Sequence, residues 1–229
     1  HGRWMDDANF APLPFTTLYQ RSLYQSMRSL VSLVCDDLRR YRADLPEGVR
    51  ADAQTLLDGE LRLLERLRSI TVGKIDAVRI RCHGDYHLAQ VLDTGDELVI
   101  FDFEAESERP VLERRLKRAA LEDVAAMLRS LHAATVVARQ NSTTDGTRQV
   151  AAREQQACFW TRWVGAAFLR TYLTTVGQAP FVPPAQEQRT VLLDVLLIEK
   201  VMQQIDGDLR EHPERLPTAL HHLAQVLGG

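Results

Sequence analysis

Two short segments carry most of the reactive side chains. His83-Gly84-Asp85-Tyr86-His87-Leu88-Ala89-Gln90 holds an acid, two imidazoles and an amide within one octapeptide, and Ile100-Phe101-Asp102-Phe103-Glu104 begins ten residues after Gln90. This arrangement has a logic for phosphoryl transfer. One carboxylate takes the proton of an attacking hydroxyl, a second holds a magnesium ion against nucleotide phosphates, and an amide oxygen completes the metal shell. Such chemistry is mostly positioning, so the groups must sit on rigid strands and tight turns. A second chemistry is open to the same residues. His83, Asp85, His87 and Asp102 could ligate a hydrolytic metal, although Gly84 follows a strand, which is not the helical setting of a zinc motif. Taken alone, the tripeptide His83-Gly84-Asp85 reads as a turn whose side chains satisfy the backbone. Joined to the flanking strands and Asp102-Phe103-Glu104, it reads as a site.

The elements that must hold these groups follow from periodicity. Val78 to Cys82 alternates as a strand, Gln90-Val91-Leu92 is a second, and Leu98-Val99-Ile100-Phe101 is a third. Asp93-Thr94-Gly95-Asp96 is the turn of a hairpin between the last two. Apolar residues at three- and four-residue steps predict helices over 16–42, 51–69, 122–138, 149–176, 185–206 and 213–227. Gly73 is expected to end the second of these, and 141–146 to be a polar loop. Residues 1–15 show no clear period. The expected fold class is α+β and mostly α-helical, with a small β-hairpin carrying the site.

Bulk properties narrow the partners. The chain has 229 residues, 45% hydrophobic and 26% charged, with a net charge of −3, which suffices for a sizeable core. No basic excess points to nucleic acid. No apolar run reaches the ~20 residues of a membrane span. Cys35, Cys82 and Cys158 are odd in number and lack metal or redox spacing, so each is expected to be a small buried residue in a reducing cytoplasm. The chain starts at His1 without a signal peptide and is expected to be a fragment or a processed chain.

The motif itself resembles a family. His83-Gly84-Asp85 with His87 and Gln90 resembles the HGDxHxxN loop of aminoglycoside phosphotransferases and related small-molecule kinases. Within that superfamily the likeness is to bacterial maltokinases and to the related actinobacterial glucosamine kinases. HGDYHLAQVL, DFEAE and the run Arg109-Pro110 to Ser130 stand against HGDYHLGQVL, a DFEGE-like element and RPxxERRxKRSPLxDVAxMLRS. The resemblance extends weakly to Leu197-Ile198-Glu199-Lys200 and Pro213. It implies a protein-kinase-like C-terminal lobe that uses ATP and Mg2+. Asp85 is then the base or hydroxyl-orienting residue, Asp102 the magnesium ligand, Gln90 a second metal ligand, and Glu104 a contact of the metal or its water. His83 and His87 support the loop, and Asp123 and Arg129 brace it. The family's N-terminal ATP-binding lobe, with its sheet and phosphate-holding lysine, matches nothing in this chain. The resemblance therefore makes residues 1–229 the catalytic and acceptor-binding lobe, inactive by itself.

The acceptor is read from residues 199–214. Maltokinases have tyrosines after the Glu-Lys pair and a later tryptophan. This chain has Glu199-Lys200-Val201-Met202-Gln203-Gln204-Ile205-Asp206-Gly207-Asp208, with amides and carboxylates instead. A carboxylate beside a sugar suits an ammonium, and the resemblance to the glucosamine kinases implies glucosamine as acceptor, with Glu199, Gln203, Asp206 and Asp208 as binding candidates. The plainer reading is that Asp206-Gly207-Asp208 ends a helix. Trp160 and Trp163, three apart on a helix, are candidates for a sugar platform; core packing is the expectation for at least one. Three alternatives remain: a maltokinase, an aminoglycoside phosphotransferase using Glu104, Glu106, Glu108, Asp206 and Asp208, and a non-catalytic binding protein.

Overall fold

The computed structural model describes residues 10–103, 116–140 and 147–228. It is mostly helical. In chain order the elements are β1 (Leu13–Pro14), α1 (Thr17–Tyr41), α2 (Glu47–Asp58), α3 (Glu60–Arg68), β2 (Val78–Arg79), β3 (Val91–Asp93), β4 (Leu98–Ile100), α4 (Leu121–Gln140), α5 (Thr147–Val176), α6 (Gln186–Glu211) and α7 (Leu216–Gly228). They form two compact units, one within 1–12 and 79–182, the other within 13–78 and 183–229.

In the second unit, α1 starts where the Thr16 hydroxyl accepts the Tyr19 amide at 3.1 Å, an N-cap of the usual kind. Its stripe of Leu23, Met27, Val31, Val34, Cys35 and Leu38 is buried, as are Leu63 and Leu67 of α3 and Leu192, Val195, Leu196, Ile198, Val201, Met202 and Ile205 of α6. Gln20 is buried in this core. Its Nε2 donates to the carbonyls of Ile70 and Gly73 at 2.6 and 2.7 Å, and its Oε1 accepts the Ile75 amide at 3.2 Å. It thereby ties down the backbone after α3. Arg66 forms a two-pronged pair with Asp194 at 2.7 and 2.6 Å.

Several expectations change here. The single helix over 51–69 is two helices that meet at Gly59, whose amide reaches the carbonyls of Thr55 and Leu56 at 3.1 Å. The first begins earlier than expected, at Glu47. The helix expected to stop at 206 runs to Glu211. Asp206-Gly207-Asp208 therefore does not end it. Ile205 and Asp208 are buried, and the pairs Asp206–Arg210 and Gln204–Asp208 link successive turns. Pro213 supplies the stop, since the residue before proline disfavours helical geometry.

In the first unit, β3 and β4 form an antiparallel hairpin with Val91 opposite Ile100, Leu92 opposite Val99 and Asp93 opposite Leu98. Its turn is fixed by the Asp93 carboxylate, which accepts the Gly95 amide at 2.8 Å, and by Gly95 at φ +88°. Only glycine takes that conformation freely. The strand expected over 78–82 is two residues long, followed by an Ile80–Arg118 bridge. α4 packs with α5 and buries Leu121, Val124, Ala125, Ala126, Met127 and Leu131.

Candidate functional site

The loop between β2 and β3 is held by hydrogen bonds that can be traced residue by residue. Asp123, in the first turn of α4, accepts the His83 amide on Oδ2 at 2.8 Å and the Gly84 amide on Oδ1 at 2.9 Å. Gly84 sits at φ +89°, a conformation costly for any side chain. The buried His83 ring places Nε2 2.8 Å from the Phe101 carbonyl. A carbonyl only accepts, so Nε2 carries the proton, and the bare Nδ1 receives the Asp85 amide at 3.4 Å. The ring is flanked by Tyr86 and Phe103, with centroids at 5.7 and 4.9 Å. One histidine thus joins the loop to the segment after β4.

His87 is wired the same way. Its Nδ1 accepts the Ala89 amide at 3.2 Å, and its Nε2 lies 3.3 Å from Asp85 Oδ2. In the neutral ring Nε2–H is the donor to that carboxylate. Asp85 itself is one-third exposed, so a second ligand can reach it. The chain then makes a 3-10 turn over Leu88–Gln90. At its end the buried Gln90 donates through Nε2 to Asp102 Oδ2 at 3.1 Å.

Asp102 directly follows the strand expected over Leu98–Phe101. It lies two residues beyond β4 in the left-handed region, at φ +60°. Among the described residues it is the only non-glycine at positive φ. Such backbone is tolerated by Asp but still costs energy, and it concentrates at functional sites. The exposed carboxylate offers oxygen donors, and the Gln90 side chain beside it carries an amide oxygen as well as the Nε2 that donates to Asp102. Magnesium is held by one or two carboxylates together with substrate phosphates, so these residues fit that ion. They do not fit a protein-only metal cage. No three His, Cys, Asp or Glu among the described residues converge on one point, and both ring nitrogens of His83 are engaged, by the Phe101 carbonyl and the Asp85 amide. The hydrolytic-metal reading loses His83 for that reason.

Burial and the Asp123 charge shape the surroundings. Burial, then the Cys82 and Asp123 charges, push the Tyr172 phenol up to about 12. Tyr86 is raised by burial first and Asp123 second. Cys82 is raised mainly by burial, and its sulfur faces the carbonyls of Ile80, Arg118 and Ala119. In the second unit, burial and then Glu60 raise Cys35 to about 12. Both are protonated, unpaired thiols, in keeping with a structural role.

The remaining candidates are dispersed. Glu104, Glu106, Glu108, the Arg109–Arg115 stretch and the 141–146 loop lie outside the described residues. Arg129 lies on α4, one residue before Ser130. That serine was not anticipated, yet its hydroxyl accepts the Leu88 amide at 3.0 Å. The available signal was its spacing of seven from Asp123, which puts both on one face. On α6, Glu199, Gln203 and Asp206 share a face, since successive steps of four and three keep side chains aligned. Gln203 contacts Glu199 at 3.5 Å and Lys200 at 3.3 Å, and Asp206 pairs with Arg210 at 2.8 Å. Asp208 is buried, bonded to Gln204 at 3.4 Å, and its position two residues on turns it away from Asp206. The two acids do not form one patch. Neither tryptophan packs in the core: Trp160 is 46% and Trp163 62% exposed. Trp163 lines a groove of about 350 Å³ with Phe159, Arg162 and Arg170. A pocket of about 320 Å³ among α2, α3 and α7 contains none of the candidate residues.

No described helix is long and apolar enough to cross a membrane. No protein-family model matches the chain. Solved structures do. A glucosamine kinase in complex with glucosamine, ADP and inorganic phosphate superposes with a TM-score of 0.73 at 20% identity, over 95% of this chain and 49% of that one. Two crystal forms of glucosamine kinase give 0.71 at 19% identity, over 95% of this chain and 48% of theirs. The chain spans about half the length of these proteins, and its fold, mostly helical with a small β-hairpin, is the fold of that half of a glucosamine kinase.

Proposed function

We propose that the chain is the catalytic and acceptor-binding lobe of an ATP-dependent sugar kinase, and that the acceptor is glucosamine, phosphorylated at its 6-hydroxyl. The observation that carries this reading is the wiring of one loop. Asp85 is held open to a ligand by His87, while Gln90 and Asp102 meet at the other end of the same loop. A proton acceptor and a cation-binding pair on one rigid scaffold are what transfer to a hydroxyl requires. Asp85 accepts the proton of the attacking hydroxyl, and the His87 Nε2–H fixes the rotamer of that carboxylate. Asp102 and Gln90 would hold magnesium, which supplies charge neutralisation for the transferring phosphate. The nucleotide-binding lobe, with a phosphate-holding lysine, lies outside this chain. The exposed apolar side chains Leu92, Leu98, Ile100 and Phe103 on and beside the hairpin suit a cover of that kind.

The amino-sugar assignment rests on the polar face of α6. The stretch after the Glu199-Lys200 pair carries amides and carboxylates in place of the maltokinase tyrosines, with Glu199, Gln203 and Asp206 on one face, and a carboxylate gives an ammonium a charge-assisted partner. Asp206 is the acid of choice because Asp208 is turned into the core. Arg210 holds Asp206 in place from the next helical turn. Steady-state turnover of the intact protein with ATP and magnesium on glucosamine, glucose and maltose tests the assignment. Glucosamine is expected to give the highest kcat/KM. Maltose in first place would overturn the acceptor and leave the kinase.

A further inference from the structure

The 3-10 turn that delivers Gln90 has three amides, each with its own acceptor. Ala89 donates to His87 Nδ1 at 3.2 Å and Gln90 to the His87 carbonyl at 2.9 Å. Both acceptors belong to the loop. The Leu88 amide instead leaves the loop and donates to Ser130 Oγ on α4 at 3.0 Å. Ser130 follows Asp123 by seven residues. Two helical turns bring it back to the same face, about 10.5 Å along the axis. The four-residue path from Gly84 to Leu88 reaches roughly 13 Å when extended. The loop therefore runs along one face of α4 and is pinned at both ends, by a carboxylate at Gly84 and by a hydroxyl at Leu88.

The two pins have different consequences. The Asp123 end fixes the backbone that carries Asp85. The Ser130 end fixes the start of a turn whose last residue presents its side chain to Asp102 and whose carbonyl accepts the Phe101 amide at 3.1 Å. We infer that Ser130 is a positioning residue: its hydroxyl sets the register of the Leu88–Gln90 turn, and through Gln90 it tunes the divalent-cation side of the site without touching the acceptor. This rests on the reading of Gln90 and Asp102 as that side. The Leu88–Ser130 bond lies on an exposed surface, so water can replace the lost partner and the fold survives its removal.

The test compares Ser130→Ala with Ser130→Thr in the intact protein, by two readouts. Hydrogen–deuterium exchange of the 86–92 segment reads the pin without any activity. Ser130→Ala should speed exchange about fivefold, the equivalent of ~1 kcal/mol for one hydrogen bond, and Ser130→Thr, which keeps the hydroxyl, should not. In the kinase assay, Ser130→Ala should raise the magnesium concentration for half-maximal rate by a similar factor and leave the glucosamine KM unchanged, with Ser130→Thr restoring it. Unchanged exchange in Ser130→Ala overturns the pin. Faster exchange with an unmoved magnesium requirement overturns the link to Gln90, as does a glucosamine KM that moves in step with magnesium. Absence of phosphate transfer by the unmutated protein would refute the kinase reading, and with it the link, while the exchange readout would still decide the pin.

Discussion

Asp123→Asn is the sharpest structural perturbation available. The carboxylate accepts two backbone amides, at 2.8 and 2.9 Å. An asparagine offers one oxygen and one NH2 in the same space, so either rotamer leaves one backbone N–H facing another N–H. Hydrogen bonds to a charged acceptor contribute ~1.5–3 kcal/mol each. Losing one and weakening the other in a part-buried setting should cost about 2–3 kcal/mol. For a chain of this size each kcal/mol moves Tm by roughly 2–4 °C, so a fall of roughly 4–12 °C is expected. Exchange of the His83 and Gly84 amides should accelerate in parallel. The Tyr172 phenol offers an independent reading. Its rise to about 12 has burial as the first cause and the Asp123 charge among the others, so Asp123→Asn should lower its titration point part of the way towards 10. A variant that melts within a degree of the unmutated protein, with unchanged amide exchange at Gly84, would refute the two-amide brace.

Asp102→Gly should abolish magnesium-dependent turnover without lowering Tm, because glycine relieves the φ +60° backbone; calorimetry and a coupled kinase assay on the same sample decide both halves. Asp206→Asn should reduce glucosamine kcat/KM by about 30-fold or more, the equivalent of ~2 kcal/mol for loss of one member of a charged pair, and change glucose turnover little; equal losses on both sugars would remove Asp206 from ammonium recognition. Cys35, raised to about 12 by burial first, stays protonated in the fold while the unfolded chain ionises near 9. Its contribution to stability is therefore complete below pH ~9 and lost as pH rises from there towards 12. Melting curves across that range should slope downward less steeply in Cys35→Ala.

Much of the framework around the candidate site was legible because it is local. The octapeptide from His83 to Gln90 and the Asp93–Asp96 turn are short-range patterns, and the hairpin register follows from the turn; the Asp123 brace, about 40 residues from the loop, came only from the family resemblance. What escaped depends on tertiary contact. The break at Gly59 and the passage of α6 through Gly207 are decided by which turns are buried, and burial is not visible in a run of periodic leucines. Asp102 takes left-handed backbone, at φ +60°, against the local preference of a strand end. Ser130 looked like any helical serine until the loop lay beside it. Asp206 and Asp208, two apart in sequence, are separated by helical geometry, which a count of acids does not register.

The central claim is that Asp85 serves hydroxyl-to-phosphate chemistry on a sugar. The direct measurement is phosphate transfer from ATP to glucosamine by the intact protein, followed by phosphorus NMR of the product, for the unmutated form and for Asp85→Asn. A magnesium-dependent glucosamine 6-phosphate signal is expected, with turnover at least ~100-fold lower in Asp85→Asn at unchanged Tm, the low end of the loss for a general base. Transfer at near-normal rate by Asp85→Asn, or no phosphorylated sugar from glucosamine, glucose or maltose in the unmutated protein, would contradict it.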